Sequence, residues 1–435
     1  MRRTTFLRVR PLAVVAFAAM TAAGSAGAAD LFGGGATFPV QSYVGDNFLT
    51  TVPVRARLSR NTTNAVTTSP IATLSPPDTL FARFSSGTGN KISYCQTGSG
   101  TGKTVLIGVG SVINANGECG TYQTGTSPAG FSGTAAAPNY IGTDSPISQA
   151  DVTSFNGGPR AARELWQVPT LAGAIALPNH SALGFTNLTT EQVCRIFSAR
   201  ITNWSGIPGS GSTAPINIVY RAEGSGTSFA FTSYLAAACN GKFTIPAGYF
   251  KPNQSFAAAV PAVPGQPGSA APLYAASTPI NGNPGVVTSV IGTASAIGYA
   301  DYPEVDAQGA EFPTVNSASP AALPASISIP APLSGQVLNA SNTPVAVTGM
   351  TNPACLRLIN PTTIPAGVTY PILAYTYMGG YRNTNGTSTT PLRQLLGYFL
   401  ASQTNRPAPP AGFAYLDGDA NYRLSVQNTI NTCVL

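Results

Sequence analysis

One local order of residues recurs four times in this chain: an apolar, strand-like run, then a turn of glycines and hydroxyl residues, then a helix-like pattern. The four turns are Gly33-Gly34-Gly35-Ala36-Thr37-Phe38-Pro39, Ser85-Ser86-Gly87-Thr88-Gly89, Gly142-Thr143-Asp144-Ser145-Pro146 and Tyr220-Arg221-Ala222-Glu223-Gly224-Ser225-Gly226-Thr227-Ser228. Strands that alternate with helices predict an α/β architecture with a mostly parallel sheet. Two helices stand out. Leu392, Leu395, Leu396, Phe399 and Leu400 mark one face of a helix over Pro391–Ser402, with Pro391 in its first turn. Val193, Ile196 and Phe197 mark another over Thr190–Ser198, where Thr189 and Gln192 can form a capping box. A further helix over Phe229–Cys239 stops at Asn240-Gly241. Leu171–Leu177, Ile216–Tyr220 and Ile297–Ala300 read as buried strands. Val52–Pro77 and Ile245–Pro272, rich in Thr, Ser, Pro, Ala and Gly, read as surface loops.

The first 29 residues read as a secretory signal peptide. Arg2, Arg3, Arg8 and Arg10 precede an uncharged apolar run from Leu12 to about Met20, and the small residues Gly27-Ala28-Ala29 suit a cleavage site. The run is shorter than the ~20 residues a membrane span needs, so the mature protein is expected free of the membrane, periplasmic or secreted. Without the leader's four arginines, 18 basic side chains face 15 acidic ones. No basic cluster remains, which argues against nucleic-acid binding. The 406 mature residues exceed one ordinary domain and suggest two.

All six cysteines, Cys95, Cys119, Cys194, Cys239, Cys355 and Cys433, lie in the mature part. An even count behind an export signal implies disulfides. A metal site would want C-x-x-C spacing or histidine partners, and neither is present. Fifteen pairings are possible. Sequential pairing, Cys95–Cys119, Cys194–Cys239 and Cys355–Cys433, is the simplest, because each bond then closes a local loop.

The four turns supply what a small tetrahedral oxyanion needs. Helix starts offer backbone N–H groups and a positive dipole end, Ser and Thr offer hydroxyls, glycines permit close approach, and Arg221 offers a forked charge. The fourth turn is the most specific, with strand, arginine, Ser-Gly-Thr and helix in order; it is not a P-loop, which needs Gly-Lys-Ser/Thr. Asp144 is the odd member, since a carboxylate repels a fully ionised anion. Hydrogen phosphate carries a proton that a carboxylate can accept, whereas sulfate does not. The alternative makes Asp144 a helix cap. Glu223, two residues past Arg221, is placed to brace the guanidinium.

These residues carry a family resemblance. The chain resembles the phosphate-binding proteins of phosphate ABC transporters, and most of all their DING-type branch. The segments are Asp30–Pro39, Ile141–Ser148, Leu188–Gly206, Ile218–Thr227 and Ile297–Tyr302. Asp30-Leu31-Phe32 stands where that branch has Asp-Ile-Asn. The resemblance implies a type II periplasmic binding protein: two α/β lobes joined by crossover strands, with the ligand in the cleft. It implies a first lobe of residues 30–173, a second of 174–299, and a return to the first over 300–435. It also implies contacts to phosphate from Thr37, Phe38 (through its N–H), Ser86, Asp144, Arg221, Ser225, Gly226 and Thr227. Cys194 and Cys239 flank a segment whose cysteines pair in that branch, which supports their disulfide. The expected partners are inorganic phosphate and a membrane ABC permease, with no cofactor, and the expected state is a monomer. Two rival classes remain. A secreted DING-type alkaline phosphatase has only His180 to draw on for a histidine-dependent mechanism. A scaffold or adhesin would leave the four turns unexplained.

Overall fold

The computed structural model describes residues 31–45, 57–58, 79–90, 92–109, 137–260, 276–400 and 406–435. The expected leader at 1–29, Cys119, most of Val52–Pro77 and the second half of Ile245–Pro272 lie outside them.

In chain order the elements that frame the site begin with β1 (Leu31–Gly35), α1 (Val40–Tyr43), β2 (Arg57–Leu58), α2 (Leu80–Thr88), β3 (Ile92–Gln96), α3 (Ser99–Ile107), β4 (Tyr140–Thr143), α4 (Gln149–Asn156) and β5 (Leu165–Ala176). They continue with α5 (Thr190–Phe197), β6 (Asn217–Arg221), α6 (Gly226–Cys239), β7 (Ala276–Ile280), α7 (Gly282–Ile291), β8 (Ala296–Ile297), β9 (Ala300–Asp301) and α8 (Tyr302–Ala307). The last are β10 (Gln336–Leu338), β11 (Pro344–Ala346), β12 (Leu373–Tyr381), α9 (Thr389–Gly397), β13 (Phe413–Tyr415) and α10 (Ala420–Cys433).

The large sheet runs β9-β5-β12-β4-β1-β3-β2, with β13 also paired to β5. A smaller sheet runs β7-β6-β8 and is parallel throughout. The large sheet is mixed rather than mostly parallel. β3, β1 and β4 are parallel, but β12 is antiparallel to both β4 and β5. Every residue of β5 and β12 is buried, so both strands read as apolar runs rather than alternating ones. Pro169 sits inside β5 without breaking it, because the register shifts there by one residue opposite Thr376/Tyr377. A bulge tolerates the missing N–H.

Helix α5 has the expected capping box: Gln192 N donates to Thr189 Oγ1 and Thr189 N to Gln192 Oε1, at 3.2 and 2.7 Å. Helix α9 begins at Thr389, two residues before the expected start, because a short 3-10 turn over Gly386–Ser388 leads into it. It ends at Gly397, short of the expected Ser402, so Leu392, Leu395 and Leu396 lie on the helix and Phe399 and Leu400 beyond it; all five are buried. The strand expected at Ile297–Ala300 divides into β8 and β9. Ile245–Pro272 is not simply a surface loop: Ile245, Tyr249, Phe250, Phe256 and Val260 join the main hydrophobic core. Arg57–Leu58, within the other expected loop, pair antiparallel with β3 at the sheet edge.

Disulfides join Cys194 to Cys239 and Cys355 to Cys433. The first ties α5 to the end of α6, and the second pins the C-terminal helix α10. Cys95 is also disulfide-bonded.

Candidate anion-binding site

Three parallel strands deliver three turns to one place. Gly35 pairs with both Gln96 and Gly142, so the chain leaves β1, β3 and β4 side by side at their C-terminal ends. Such strand ends form the crevice where open α/β sheets bind ligands. Two residues past Gly35 comes Thr37, two past Gly142 comes Asp144, and three past Gln96 comes Ser99. The glycines are needed here: a Cβ on Gly35, whose φ is +125°, would lie 2.2 Å from the Gly142 carbonyl oxygen. Tyr94 Oη donates to Ala36 O at 2.7 Å, and Ala36 N to Gly142 O at 2.9 Å. With its carbonyl tied back, the 36–37 peptide turns its N–H the opposite way. Thr37 Oγ1 is buried without a hydrogen-bond partner among the described residues. The Phe38 ring packs into the core against Phe413, with centroids 5.0 Å apart, which leaves only its backbone for a ligand.

Asp144 is 3 % exposed. Its Oδ1 accepts from Thr376 Oγ1 at 2.8 Å and its Oδ2 from Ser99 Oγ at 3.4 Å, while its own N–H donates to Ser99 Oγ at 3.0 Å. Burial pushes its carboxyl up to about 7, against the opposing pull of the Thr376 hydroxyl, the Arg221 charge and the Ser99 hydroxyl. Asp144 does not cap a helix. The next helix, α4, is capped by Ser148, which forms a capping box with Asp151.

The opposite wall is built on the smaller sheet. Arg221 ends β6 and is 2 % exposed. Glu223 Oε1 accepts from its Nε at 2.8 Å and also from its Nη2. Asn283 Oδ1 accepts from Nη1 at 2.5 Å, and Thr227 Oγ1 lies 3.4 Å from the same nitrogen. Ser225 caps α6 by accepting from Ser228 N at 3.1 Å. Gly226 opens that helix against the first wall, since a Cβ there would lie 2.3 Å from Ser99 Oγ and 2.7 Å from Asp144 Oδ2. The walls meet directly: Gly100 N donates to Gly224 O at 2.9 Å, and Gln254 Nε2 to Ser145 Oγ at 2.6 Å.

The structure therefore brings together Thr37, Phe38, Asp144, Arg221, Ser225, Gly226 and Thr227, with Glu223 bracing the arginine. It does not bring Ser86. That residue is exposed in the last turn of α2, which ends at Gly89 with φ 75°. The glycine-serine cluster read as a helix start is a helix stop, because Leu80, Phe81 and Phe84 before it already form the buried stripe. Ser99, rather than Ser86, stands beside Asp144. A signal was available, for Gly98-Ser99-Gly100-Thr101 repeats the tetrapeptide Gly224-Ser225-Gly226-Thr227. Lys103 nearby adds no free charge, since its Nζ is 2.7 Å from Asp151 Oδ2. Asn283 and Asp301, which extend the contacts of Arg221, carry no such local signal. His180 lies in a turn, where its Nδ1 accepts from Ala182 N at 3.1 Å.

Arg221 faces Glu223, so the site's attraction for an anion comes largely from two helix starts, hydroxyls and the unused guanidinium hydrogens. Amid these donors stand two carboxyls: Glu223, whose Oε1 is engaged by Arg221, and Asp144, which is held by hydroxyls. The arrangement suits a small, desolvated oxyanion that carries a proton of its own.

The fold is that of a two-lobed α/β protein of the type II periplasmic class. A family model described as a PBP superfamily domain matches residues 59–403, and the chain belongs to that superfamily. Among solved structures, the phosphate-binding protein from Stenotrophomonas maltophilia aligns over 92 % of this chain and 93 % of its own, with TM-score 0.59 and 22 % identity. PfluDING, a high-affinity periplasmic phosphate-binding protein solved with phosphate bound, aligns with TM-score 0.58 and 23 % identity, over 92 % and 93 % of the two chains. Alkaline phosphatase L of Pseudomonas aeruginosa (strain UCBPP-PA14) is 30 % identical over 234 residues, 52 % of this chain and 45 % of that protein. A phosphate-binding protein from an unknown prokaryotic organism is 32 % identical over 183 residues, 42 % of each. The chain spans about half the length of the curated relatives it matches.

Proposed function

We propose that this protein binds inorganic phosphate outside the cytoplasmic membrane, as the substrate-binding component of a phosphate ABC transporter. One observation carries the reading: a buried carboxyl held by hydroxyls, Asp144, stands between helix starts and the Arg221 guanidinium. Hydrogen phosphate offers a proton to Asp144 and bare oxygens to the donors. Ser99 and Thr37 hold it from the large-sheet side; Arg221, Ser225, Gly226 and Thr227 hold it from the other. The lobes divide near residues 173/174 and 299/300, a division supported by the placement of β6, β7 and β8 within 174–299. The permease would receive phosphate from the monomer when the cleft opens. The leader at 1–29 supports export, and among the described residues no helix is long and apolar enough to cross a membrane.

Hydrolysis of a phosphomonoester is the competing reading, raised by the alkaline phosphatase L relatives. The close meeting of Gly100 with Gly224, and of Gly226 with Asp144, supports binding instead, because it leaves little room for an ester's organic group. Isothermal titration of refolded, phosphate-stripped protein with phosphate and sulfate tests the proposal. Tight phosphate binding with weak sulfate binding is expected. Absence of phosphate binding would reject the proposal, and turnover of a chromogenic phosphate ester would favour the enzyme.

A further inference from the structure

We propose that Asn283 is a positioning residue for the anion clamp, holding Arg221 in place and linking it to Asp301 on the strand that returns to the large sheet. The inference rests on the phosphate reading above. Asn283 is the second residue of α7 and fully buried. Its Oδ1 accepts from Arg221 Nη1 at 2.5 Å, and its Nδ2 donates to Asp301 Oδ1 at 2.5 Å. A guanidinium has five donors and no acceptor, so the amide oxygen must face Arg221 and the amide nitrogen must face the carboxyl. Only one orientation of the amide satisfies both neighbours. The other Asp301 oxygen accepts from Glu304 N at 3.1 Å, at the start of α8. Asp301 itself pairs with Ile175 of β5. The chain of hydrogen bonds that begins at the clamp thus ends on the backbone of the large sheet.

Hydrogen counting shows what this accomplishes. Glu223 takes one hydrogen from Nε and one from Nη2, and Asn283 takes one from Nη1. The second Nη1 hydrogen makes only a long 3.4 Å bond to Thr227 Oγ1 and one Nη2 hydrogen stays uncommitted, so each terminal nitrogen keeps a hydrogen that an oxyanion can draw on. Gly282, just before Asn283, donates its N–H to Glu223 Oε1 at 3.1 Å. The first turn of α7 therefore holds both the clamp and its brace. Without Asn283, Nη1 keeps only its long bond to Thr227 Oγ1, and the guanidinium is free to turn further toward that hydroxyl.

The test is isothermal titration with inorganic phosphate, plus thermal melts of the ligand-free protein, on wild type, Asn283→Ala, Asn283→Leu and the double exchange Asn283→Asp with Asp301→Asn. The exchange keeps an acceptor for Arg221 and one for Glu304 N–H while reversing the direction of the bond between positions 283 and 301. Loss of a hydrogen bond to a buried charge should weaken phosphate binding about 10- to 100-fold in the Ala and Leu variants. The double exchange should recover affinity to within about threefold of wild type. A purely structural role would lower the melting temperature and leave the affinity of the folded protein unchanged. The proposal fails if Asn283→Leu, or Asn283→Ala should the Leu variant not fold, binds phosphate like wild type. It fails equally if a folded double exchange binds no better than the single variants. A wild type that binds no phosphate ends the functional reading and this inference together; a wild type that binds, with unaffected variants, ends this inference alone.

Discussion

Gly98-Ser99-Gly100-Thr101 and Gly224-Ser225-Gly226-Thr227 are the same four residues, each between a strand and a helix, yet they do different work. At the first, Gly98 stands in the cap position and Ser99 is the first helical residue, so its hydroxyl is left to Asp144. At the second, Ser225 is itself the cap, and its oxygen is engaged by Ser228 N. A one-residue shift in where the helix begins turns one serine toward the carboxyl and the other into a cap. Charge separates them further. The strand before the second segment ends in Arg221, while Lys103, beyond the first, is spent on Asp151. A tetrapeptide can specify a helix start, and its neighbours decide whether that start offers charge, donors or a hold on an acceptor.

The largest effect should come from the charged side of this pair. Arg221→Ala removes the clamp and leaves Glu223 without its counter-charge, a loss of roughly 3–5 kcal/mol for a broken buried pair. Phosphate and sulfate should weaken together, because the charge does not distinguish them. Titration of both anions checks this, and selective loss of phosphate alone would contradict it.

Next comes the acceptor that Ser99 touches. Asp144→Asn should lower phosphate affinity by about 1.5–3 kcal/mol, the worth of a hydrogen bond to a charged group, while sulfate affinity holds or rises. An unchanged ratio of the two anions would remove Asp144 from its role. Stability should move the other way. A carboxyl raised in the folded state favours folding below its unfolded value near 4, and that contribution is lost as pH rises through about 7. Above that, the buried charge costs up to about 4 kcal/mol. The ligand-free Asn variant should therefore melt above wild type at pH 8, with the advantage gone near pH 4. Calorimetry at the two pH values decides.

What the chain reveals without a structure follows the range of the interactions. The capping box of Thr189 and Gln192 and the order Arg221, Ser225, Gly226, Thr227 are local and legible. The segment around Ser86 is ambiguous because a glycine-serine cluster looks the same after a helix as before one; only the phase of Leu80, Phe81 and Phe84 tells which it is. Asn283 reaches Arg221 across 62 positions of sequence, and Asp301 lies another 18 further on. Contacts at such separations leave no periodic trace. The mixed sheet is hidden for the same reason, since β12 reaches β4 from the far end of the chain and nothing near Tyr140 announces an antiparallel neighbour.

Smaller effects should separate the two serines themselves. Ser225→Ala loses a cap and should cost about 1 kcal/mol of stability, most of it recovered in Ser225→Gly, because glycine caps nearly as well. Ser99→Ala leaves the cap position of α3 untouched but removes a hydroxyl that favours the ionised Asp144. The carboxyl should then rise further. Since it must be ionised to accept the phosphate proton, the affinity loss should be greater at pH 6.5 than at pH 8.5. Equal losses at the two pH values would show that Ser99 acts on the anion alone.

The smallest expected effect is the sharpest check on the choice of Ser99 over Ser86. Ser86 is exposed in the last turn of α2, a helix that packs Leu80, Phe81 and Phe84 inward and ends at Gly89. Alanine is a better helix former than serine by roughly 0.5 kcal/mol, so Ser86→Ala should leave the melting temperature equal or slightly raised. Phosphate affinity should stay within twofold of wild type, about 0.4 kcal/mol. The same substitution at Ser99 weakens binding at an unchanged cap. If instead Ser86→Ala lost affinity and Ser99→Ala kept it, the second turn of the sequence would be the ligand loop after all, and α2 would have to unwind in its last turn to let phosphate reach it.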